Sequence, residues 1–163
     1  ALKQLELEGL VLSIPNRGML VQGISDDDLN DIYTIRLLLE GQAAWWAAER
    51  IEPDQLDKLA ETLELMEMYT RRNDVAQLAR LDTEFHDVLY SAANSRMLKH
   101  VLASLHQNAR RARRSSLTSP DRPHDSLLEH RAIFQALEGR RPAEAKAAME
   151  KHVTNAHLKY DTE

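Results

Sequence analysis

Residues 81–90 read Leu-Asp-Thr-Glu-Phe-His-Asp-Val-Leu-Tyr. Their apolar side chains recur at helical spacing, which predicts an amphipathic helix with its apolar face turned inward. Asp82 and His86 are four residues apart, so they lie one turn apart on one helix face, beside Phe85 and Leu89 at the edge of the apolar stripe. A buried carboxylate and imidazole need partners, because an unpaired buried charge is costly. The two are therefore either a surface or hydrogen-bonded core pair, or part of a metal site.

Two later segments carry a histidine in the same kind of position. In residues 128–137, His130 shares a helix face with apolar residues, and in residues 142–160 His152 shares a face with alanines and a methionine. Three imidazoles and one carboxylate on predicted core faces suit a borderline divalent ion such as zinc, nickel or manganese. The candidate ligands are Asp82, His86, His130 and His152. No such consistent placement is seen for the other four histidines, which are His100, His106, His124 and His157.

The composition is that of an ordinary globular domain, and it excludes several classes of protein. The chain has 163 residues, which suits one moderate domain, with 43% hydrophobic and 29% charged residues. Five glycines and five prolines are too few for a turn-rich all-β fold. Without cysteine, a signal peptide or a long apolar run, we expect a cytoplasmic protein with no membrane partner. At a net charge of −5, any DNA contact must come from a local basic surface.

The chain reads as a short hairpin followed by helices. Residues 10–14 and 19–21 are β-prone and flank a Pro-Asn-Arg-Gly turn, which is a hairpin signal. Residues 1–8 read as the end of a helix. After Ser25, a good helix cap, apolar periodicity predicts six helices. Five of them span residues 29–50, 53–70, 96–117, 125–138 and 142–160. The sixth runs from a break at residues 72–74 to residue 93. The expected fold is all-α: an antiparallel bundle of six or seven helices, preceded by a short β-hairpin, with an interior that can hold a site.

Arginines give two further candidate sites, each with two interpretations. The predicted helix 96–117 ends in a basic cluster that includes Arg110 and Arg114. Arginines in the last turn of a helix interact favourably with the helix dipole, and their side chains are often simply exposed to water. An arginine side chain that points into the bundle could instead bind a carboxylate. Arg36 could likewise pair with Glu40, one turn along its helix, or with an anionic ligand.

Five separated blocks resemble one known family. They are residues 31–40 (DIYTIRLLLE), Leu81-Asp82-x-x-Phe85-His86, Ala93-Asn94-Ser95, Glu129-His130-Arg131-Ala132-Ile133 and Ala147-Ala148-Met149-x-x-His152. In this order they look like the effector domain of GntR-type transcription regulators, specifically the FadR C-terminal (FCD) branch. The match covers nearly everything after Ser25. The aspartate and the three histidines resemble the metal-binding version of that domain, which implies that the four candidate ligands hold a metal.

The first residues resemble the end of a DNA-binding domain of the same family. Two blocks within residues 5–21 are similar to the end of a winged helix-turn-helix and its wing. The resemblance implies a division into residues 1–24, the remnant of that domain, and residues 25–163, the effector domain. It also implies that the wing, at Arg17 and Gly18, reaches DNA in a longer parent protein, because the first helices of such a domain are absent here.

The resemblance implies a sensor that binds operator DNA as a homodimer, because winged-helix regulators read paired half-sites. Trp45 and Trp46 point about 100° apart on their helix, so one could serve the partner surface. The expected effector is a small organic acid, bound at a divalent metal, preferably zinc, and paired with an arginine: Arg36, Arg110 or Arg114. The alternative is a metal-dependent hydrolase, since a metal with open positions can activate water. The chain has no extra base at a recognisable spacing such as H-E-x-x-H, so we expect no enzyme.

Overall fold

The computed structural model of the chain is mainly helical. It describes residues 11–14, 18–21, 25–117 and 121–158, without the side chains of residues 11–14, 19–21, 26, 107–116 and 158. The helices are α1 (Asp26–Arg50), α2 (Pro53–Arg71), α3 (Val75–Ala92), α4 (Arg96–Ser116), α5 (Arg122–Glu138) and α6 (Pro142–Leu158). The predicted all-α bundle is confirmed, with six helices in the described part of the chain. None of these helices has both the length and the apolar character that a membrane crossing requires.

Two short strands precede the bundle. Val11–Ile14 (β1) and Gly18–Val21 (β2) pair antiparallel, with the first residue of β1 opposite the last of β2. Gly18 is exposed and has a φ of +95°, a left-handed conformation that glycine adopts without steric cost. The residues that join the strands, 15–17, lie outside the described part of the chain, and so does Arg17 with them.

Local sequence explains where the helices begin and end. The Ser25 hydroxyl accepts the N–H of Asp28 at 3.1 Å, and the Asp28 carboxylate accepts the N–H of Ser25 at 2.9 Å. This capping box starts α1 three residues before the predicted position. Helix α5 also starts early, at Arg122, because a proline at its second position is compatible with a first helical turn. Asn73 and Asn94, both with a φ of +51°, separate α2 from α3 and α3 from α4.

Helix α1 is the central element of the bundle. It packs against α3, α4, α5 and α6, while α2 packs against α3 and α5. Four alanines of α1 are fully buried, and their small side chains let the neighbouring helices approach closely; they are Ala43, Ala44, Ala47 and Ala48. The inward face predicted for α3 is confirmed, since Phe85 and the apolar residues one turn to either side of it are fully buried. That face brings the polar residues beside it into the interior.

Candidate metal centre

Three helices bring the four predicted ligands together. Asp82 and His86 come from α3, His130 from α5 and His152 from α6, and all four are buried. One potential ligand atom from each lies within 4.8 Å of the other three. The Oδ1 atom of Asp82 is 3.4 Å from Nε2 of His130, 3.8 Å from Nε2 of His86 and 4.0 Å from Nε2 of His152. The four side chains therefore meet at one point in the bundle interior.

In His130 and His152, a hydrogen bond at one ring nitrogen determines that the other ring nitrogen faces the carboxylate of Asp82. Nδ1 of His130 lies 2.7 Å from the backbone oxygen of Ser126, and Nδ1 of His152 lies 2.8 Å from Oε2 of Glu129. A carbonyl or carboxylate oxygen can only accept, so we assign the ring proton to Nδ1 in both histidines. Their Nε2 atoms then present lone pairs toward the carboxylate of Asp82.

These converging lone pairs fit a metal ion. Nε2 of His86 and Nε2 of His152 are 3.3 Å apart, and Nε2 of His130 makes no hydrogen bond to any described residue. Two nitrogens that bind one tetrahedral zinc ion at about 2.0–2.1 Å are themselves about 3.3 Å apart. The imidazoles and the Asp82 carboxylate are also ligand types that zinc, nickel and manganese accept. A divalent cation would therefore satisfy this donor set.

Burial sets the protonation states around the site. It lowers the pKa of His152 to about 3, with the nearby His130 acting in the same direction, and it lowers the pKa of His86. Burial acts to raise the pKa of the Glu129 carboxyl, but its contacts with His152 and Arg122 outweigh burial and lower that pKa to about 2. At neutral pH, His86 and His152 are thus neutral, which is the state in which an imidazole binds a metal.

A second buried group adjoins the first. Nε of Arg36 donates to Oε1 of Glu40 at 2.5 Å. Oε2 of Glu40 is 3.3 Å from Nδ1 of His86, and Oε1 is 3.5 Å from Nε2 of His106. The Tyr90 hydroxyl lies 2.6 Å from Nε2 of His106 and 3.3 Å from Nδ1 of His86. Glu40, His86 and His106 could also hold a cation by geometry, but Arg36 already pairs with that carboxylate. The group is better described as support for His86.

The sequence alone did not identify His106 as part of a polar site. The side chain is buried, and its spacing of four residues from the fully buried Leu102 was the available signal. Glu40 was recognised only as a partner for Arg36, and its contacts with two histidines were not expected. These contacts join α1, α3 and α4, which are adjacent only in the folded chain.

Arg36 retains unused hydrogen-bonding capacity. Its Nη1 and Nη2 atoms are buried, and no described residue accepts a hydrogen bond from either. Burial acts to lower the pKa of Arg36, but the Glu40 carboxylate outweighs it and the pKa is raised. Burial likewise acts to raise the pKa of Glu40, but the Arg36 charge holds that pKa well below its usual range. Both groups are charged, and two guanidinium nitrogens have no hydrogen-bond acceptor among the described residues.

The structure does not locate the remaining predicted site residues in this interior. Arg110 and Arg114 lie on the last turns of α4, and their side chains are outside the described part of the chain. Gly18 lies in the hairpin at the start of β2.

The fold and its buried polar site define a class, that of helical effector domains. The FCD domain family matches residues 31–155, which extend from α1 into α6. The chain therefore belongs to the FCD branch of the GntR-type transcription regulators, as the sequence resemblance implied.

Individual relatives agree with this assignment. The HTH-type transcriptional regulator YdhC of Bacillus subtilis is 27% identical over 164 residues, which cover 100% of this chain and 71% of that protein. The HTH-type transcriptional repressor RspR of Escherichia coli is 28% identical over 145 residues, which cover 89% of this chain and 64% of that protein. The solved structure of Escherichia coli McbR/YncC aligns with a TM-score of 0.84 at 19% identity, over 99% of this chain and 82% of that one, and it supports the fold alone.

Two consequences follow from these relatives. The chain spans only part of their length, 71% of YdhC and 64% of RspR. They are transcription regulators rather than enzymes, so the prediction that the chain is not an enzyme is confirmed and the hydrolase alternative has no support.

Proposed function

We propose that this chain senses a small anionic effector at a divalent metal, as the effector domain of a DNA-binding transcription regulator. Zinc is the metal that we favour, with nickel and manganese as alternatives. The proposed ligands are Asp82, His86, His130 and His152. The observation that carries this proposal is the convergence of three imidazole Nε2 atoms, 3.4–4.0 Å from one carboxylate oxygen. When bound, the metal supplies a positive charge inside the bundle.

The buried charges favour an anionic effector. Arg36 pairs with Glu40 and Arg122 pairs with Glu129, so each of these pairs sums to zero. The charge of −1 on Asp82 and the charge of +2 on a divalent ion then sum to +1. An uncompensated positive charge in a low-dielectric interior is unfavourable, and a bound anion would relieve it. Without the metal the sum is −1, which disfavours an anion.

Arg36 supports a carboxylate as the chemical class of the effector. Its Nη1 and Nη2 atoms have no described partner, and the guanidinium fork suits the two oxygens of a carboxylate. We therefore propose a small organic acid that binds the metal-loaded site and pairs with Arg36. Arg110 and Arg114 are proposed as further contacts on the basis of the sequence pattern alone.

A thermal-shift screen of small organic acids tests this proposal. We expect carboxylates to raise the melting temperature of zinc-loaded protein but not of chelator-stripped protein. At a hundred times Kd, binding contributes about 2.7 kcal/mol, or about 5–10 °C for a chain of this size. Arg36→Lys keeps the charge but loses the fork, so the carboxylate affinity should fall about 10- to 100-fold.

Arg71→Lys is the matched control, because Arg71 is exposed and pairs only with Glu67 on its own helix among the described residues. Its carboxylate response should equal that of the wild-type chain. Stabilisation by neutral sugars or amines and by no carboxylate would contradict the anionic effector, and the metal site would be unaffected by that result.

The DNA-binding part of the proposal rests on the sequence resemblance of the first residues. We propose that residues 1–24 are the end of a winged helix-turn-helix, with β1 and β2 as its wing and Arg17 and Gly18 near its DNA-contacting end. Residues 25–163 would form the effector domain. A regulator that contains this chain would bind operator DNA in the cytoplasm, and effector binding would bias the packing of the bundle and thereby the spacing of two DNA-reading heads.

We also propose a homodimer that uses the surface formed by α1 and α4. These two helices pack together, and each exposes large apolar side chains: Ile35 (42%) and Leu38 (68%) on α1, and Met97 (67%) and Val101 (41%) on α4. Trp45 lies half-buried on α1 and could extend the contact. Exposed apolar side chains on two adjacent helices suit a self-complementary interface.

Leu38→Glu should convert the dimer to a monomer, because it replaces the most exposed of these apolar side chains by a charge. Sedimentation velocity at micromolar concentration measures the change. Leu65→Glu is the control, since Leu65 is 40% exposed but lies on α2; it should leave the dimer intact. A wild-type chain that stays monomeric at high micromolar concentration would refute the proposed dimer.

A further inference from the structure

Glu129 is a buried carboxylate whose side chain contacts another helix rather than its neighbours in the sequence. It lies on α5 directly before His130, yet its side chain reaches His152 on α6. Oε2 of Glu129 accepts the Nδ1–H of His152 at 2.8 Å, and Oε1 accepts an Nδ2–H of Asn155 at 2.7 Å. Nη1 of Arg122 lies 2.8 Å from Oε2. Three side chains therefore converge on this carboxylate.

Two of these three contacts fix the carboxylate independently of the imidazole. Arg122 begins α5, two turns before Glu129 on the same helix, and Asn155 lies one turn after His152 on α6. Arg122 is 2% exposed, so its ion pair is shielded from water. The carboxylate position is thus set by both helices, and the imidazole ring must orient to it.

We propose that Glu129 is a positioning residue of the metal centre, which holds His152 with its Nε2 lone pair directed at the metal. This inference rests on the proposed metal site. A carboxylate that accepts the Nδ1–H of a ligating histidine selects its tautomer, orients the ring and makes Nε2 a better ligand. His130 obtains the same support from the backbone oxygen of Ser126, which no side-chain substitution removes. Glu129 is therefore where such support can be tested by mutation.

Glu129→Gln keeps the size and an acceptor oxygen but removes the charge. Zinc affinity, measured on the full chain by competition with a chromophoric chelator, should fall about 10- to 100-fold. Glu67→Gln is the matched control. Oε2 of Glu67 accepts a hydrogen bond from Nη2 of Arg131, another arginine of α5, at 2.6 Å. In the described part of the chain, Glu67 contacts no histidine. Its zinc affinity should equal that of the wild-type chain.

A second measurement uses the wild-type protein and does not depend on the variant. Long-range proton–nitrogen correlation spectra of the chelator-stripped chain should show His152 protonated at Nδ1, with a strongly deshielded proton. In folded Glu129→Gln that proton should move upfield, because the hydrogen bond is no longer charge-assisted.

The outcomes separate this inference from the metal site itself. Unchanged zinc affinity in folded Glu129→Gln would overturn the role of Glu129 while the metal site stands. Protonation of His152 at Nε2 in the wild-type chain would overturn it as well. A wild-type chain that binds no zinc would overturn the metal site, and the positioning role with it.

Discussion

The His130→Ala variant should lose stoichiometric zinc, and so should His152→Ala. Each substitution removes one of four converging donors, and neither leaves a described side chain that could replace the lost imidazole within the cluster. The metal-dependent gain in stability should disappear with the metal. At a zinc concentration of a thousand times Kd, that gain is about 4.1 kcal/mol. Elemental analysis of the purified variants and melting curves with and without chelator measure both effects.

His124→Ala is the control for this experiment. His124 lies on α5, as His130 does, but it is exposed and outside the cluster. This variant should bind one zinc ion per chain and respond to chelator as the wild-type chain does. If both His130→Ala and His152→Ala retain stoichiometric zinc, the four-ligand assignment is wrong, whatever their melting temperatures.

Glu40→Ala should destabilise the chelator-stripped chain by about 3–5 kcal/mol, because it leaves the Arg36 guanidinium charged and without its ion-pair partner in the interior. Both side chains are fully buried, so the ion pair that is lost is one that is shielded from solvent. The double variant Arg36→Met/Glu40→Leu should recover most of the loss, since apolar side chains of similar volume often replace a buried ion pair at little cost. Denaturant unfolding at neutral pH measures all three free energies of unfolding.

Glu67→Ala is the control that separates the effect of burial from the effect of losing an ion pair. Glu67 also pairs with an arginine of another helix, Arg131, but both side chains are about 40% exposed. Such an exposed pair contributes about 1 kcal/mol or less. A cost for Glu40→Ala that does not exceed the cost for Glu67→Ala would show that the interior around Arg36 is hydrated, and the charge balance that favours an anionic effector would then fail.

Periodicity alone determined much of this protein. The helical segments, the inward face of α3 and the buried positions of His130 and His152 follow from apolar residues at offsets of three and four, because a helix returns to the same face at that spacing. The four donors could be selected for the same reason: each shares a face with residues that must be buried. Helix starts were less well predicted, since a capping box and a first-turn proline extend helices beyond their periodic region.

Only the tertiary structure decided which polar groups meet across helices. Arg36 and Glu40 were an expected pair along α1, but the contact of Glu40 with His106 joins residues that are 66 positions apart. Glu129 was part of a recognised sequence block, yet its partner is the histidine of α6 rather than its neighbour in the chain. Spacing within one helix defines a face and its burial. The distance between side chains on different helices depends on how closely those helices pack and at what rotation, and both result from the assembled core.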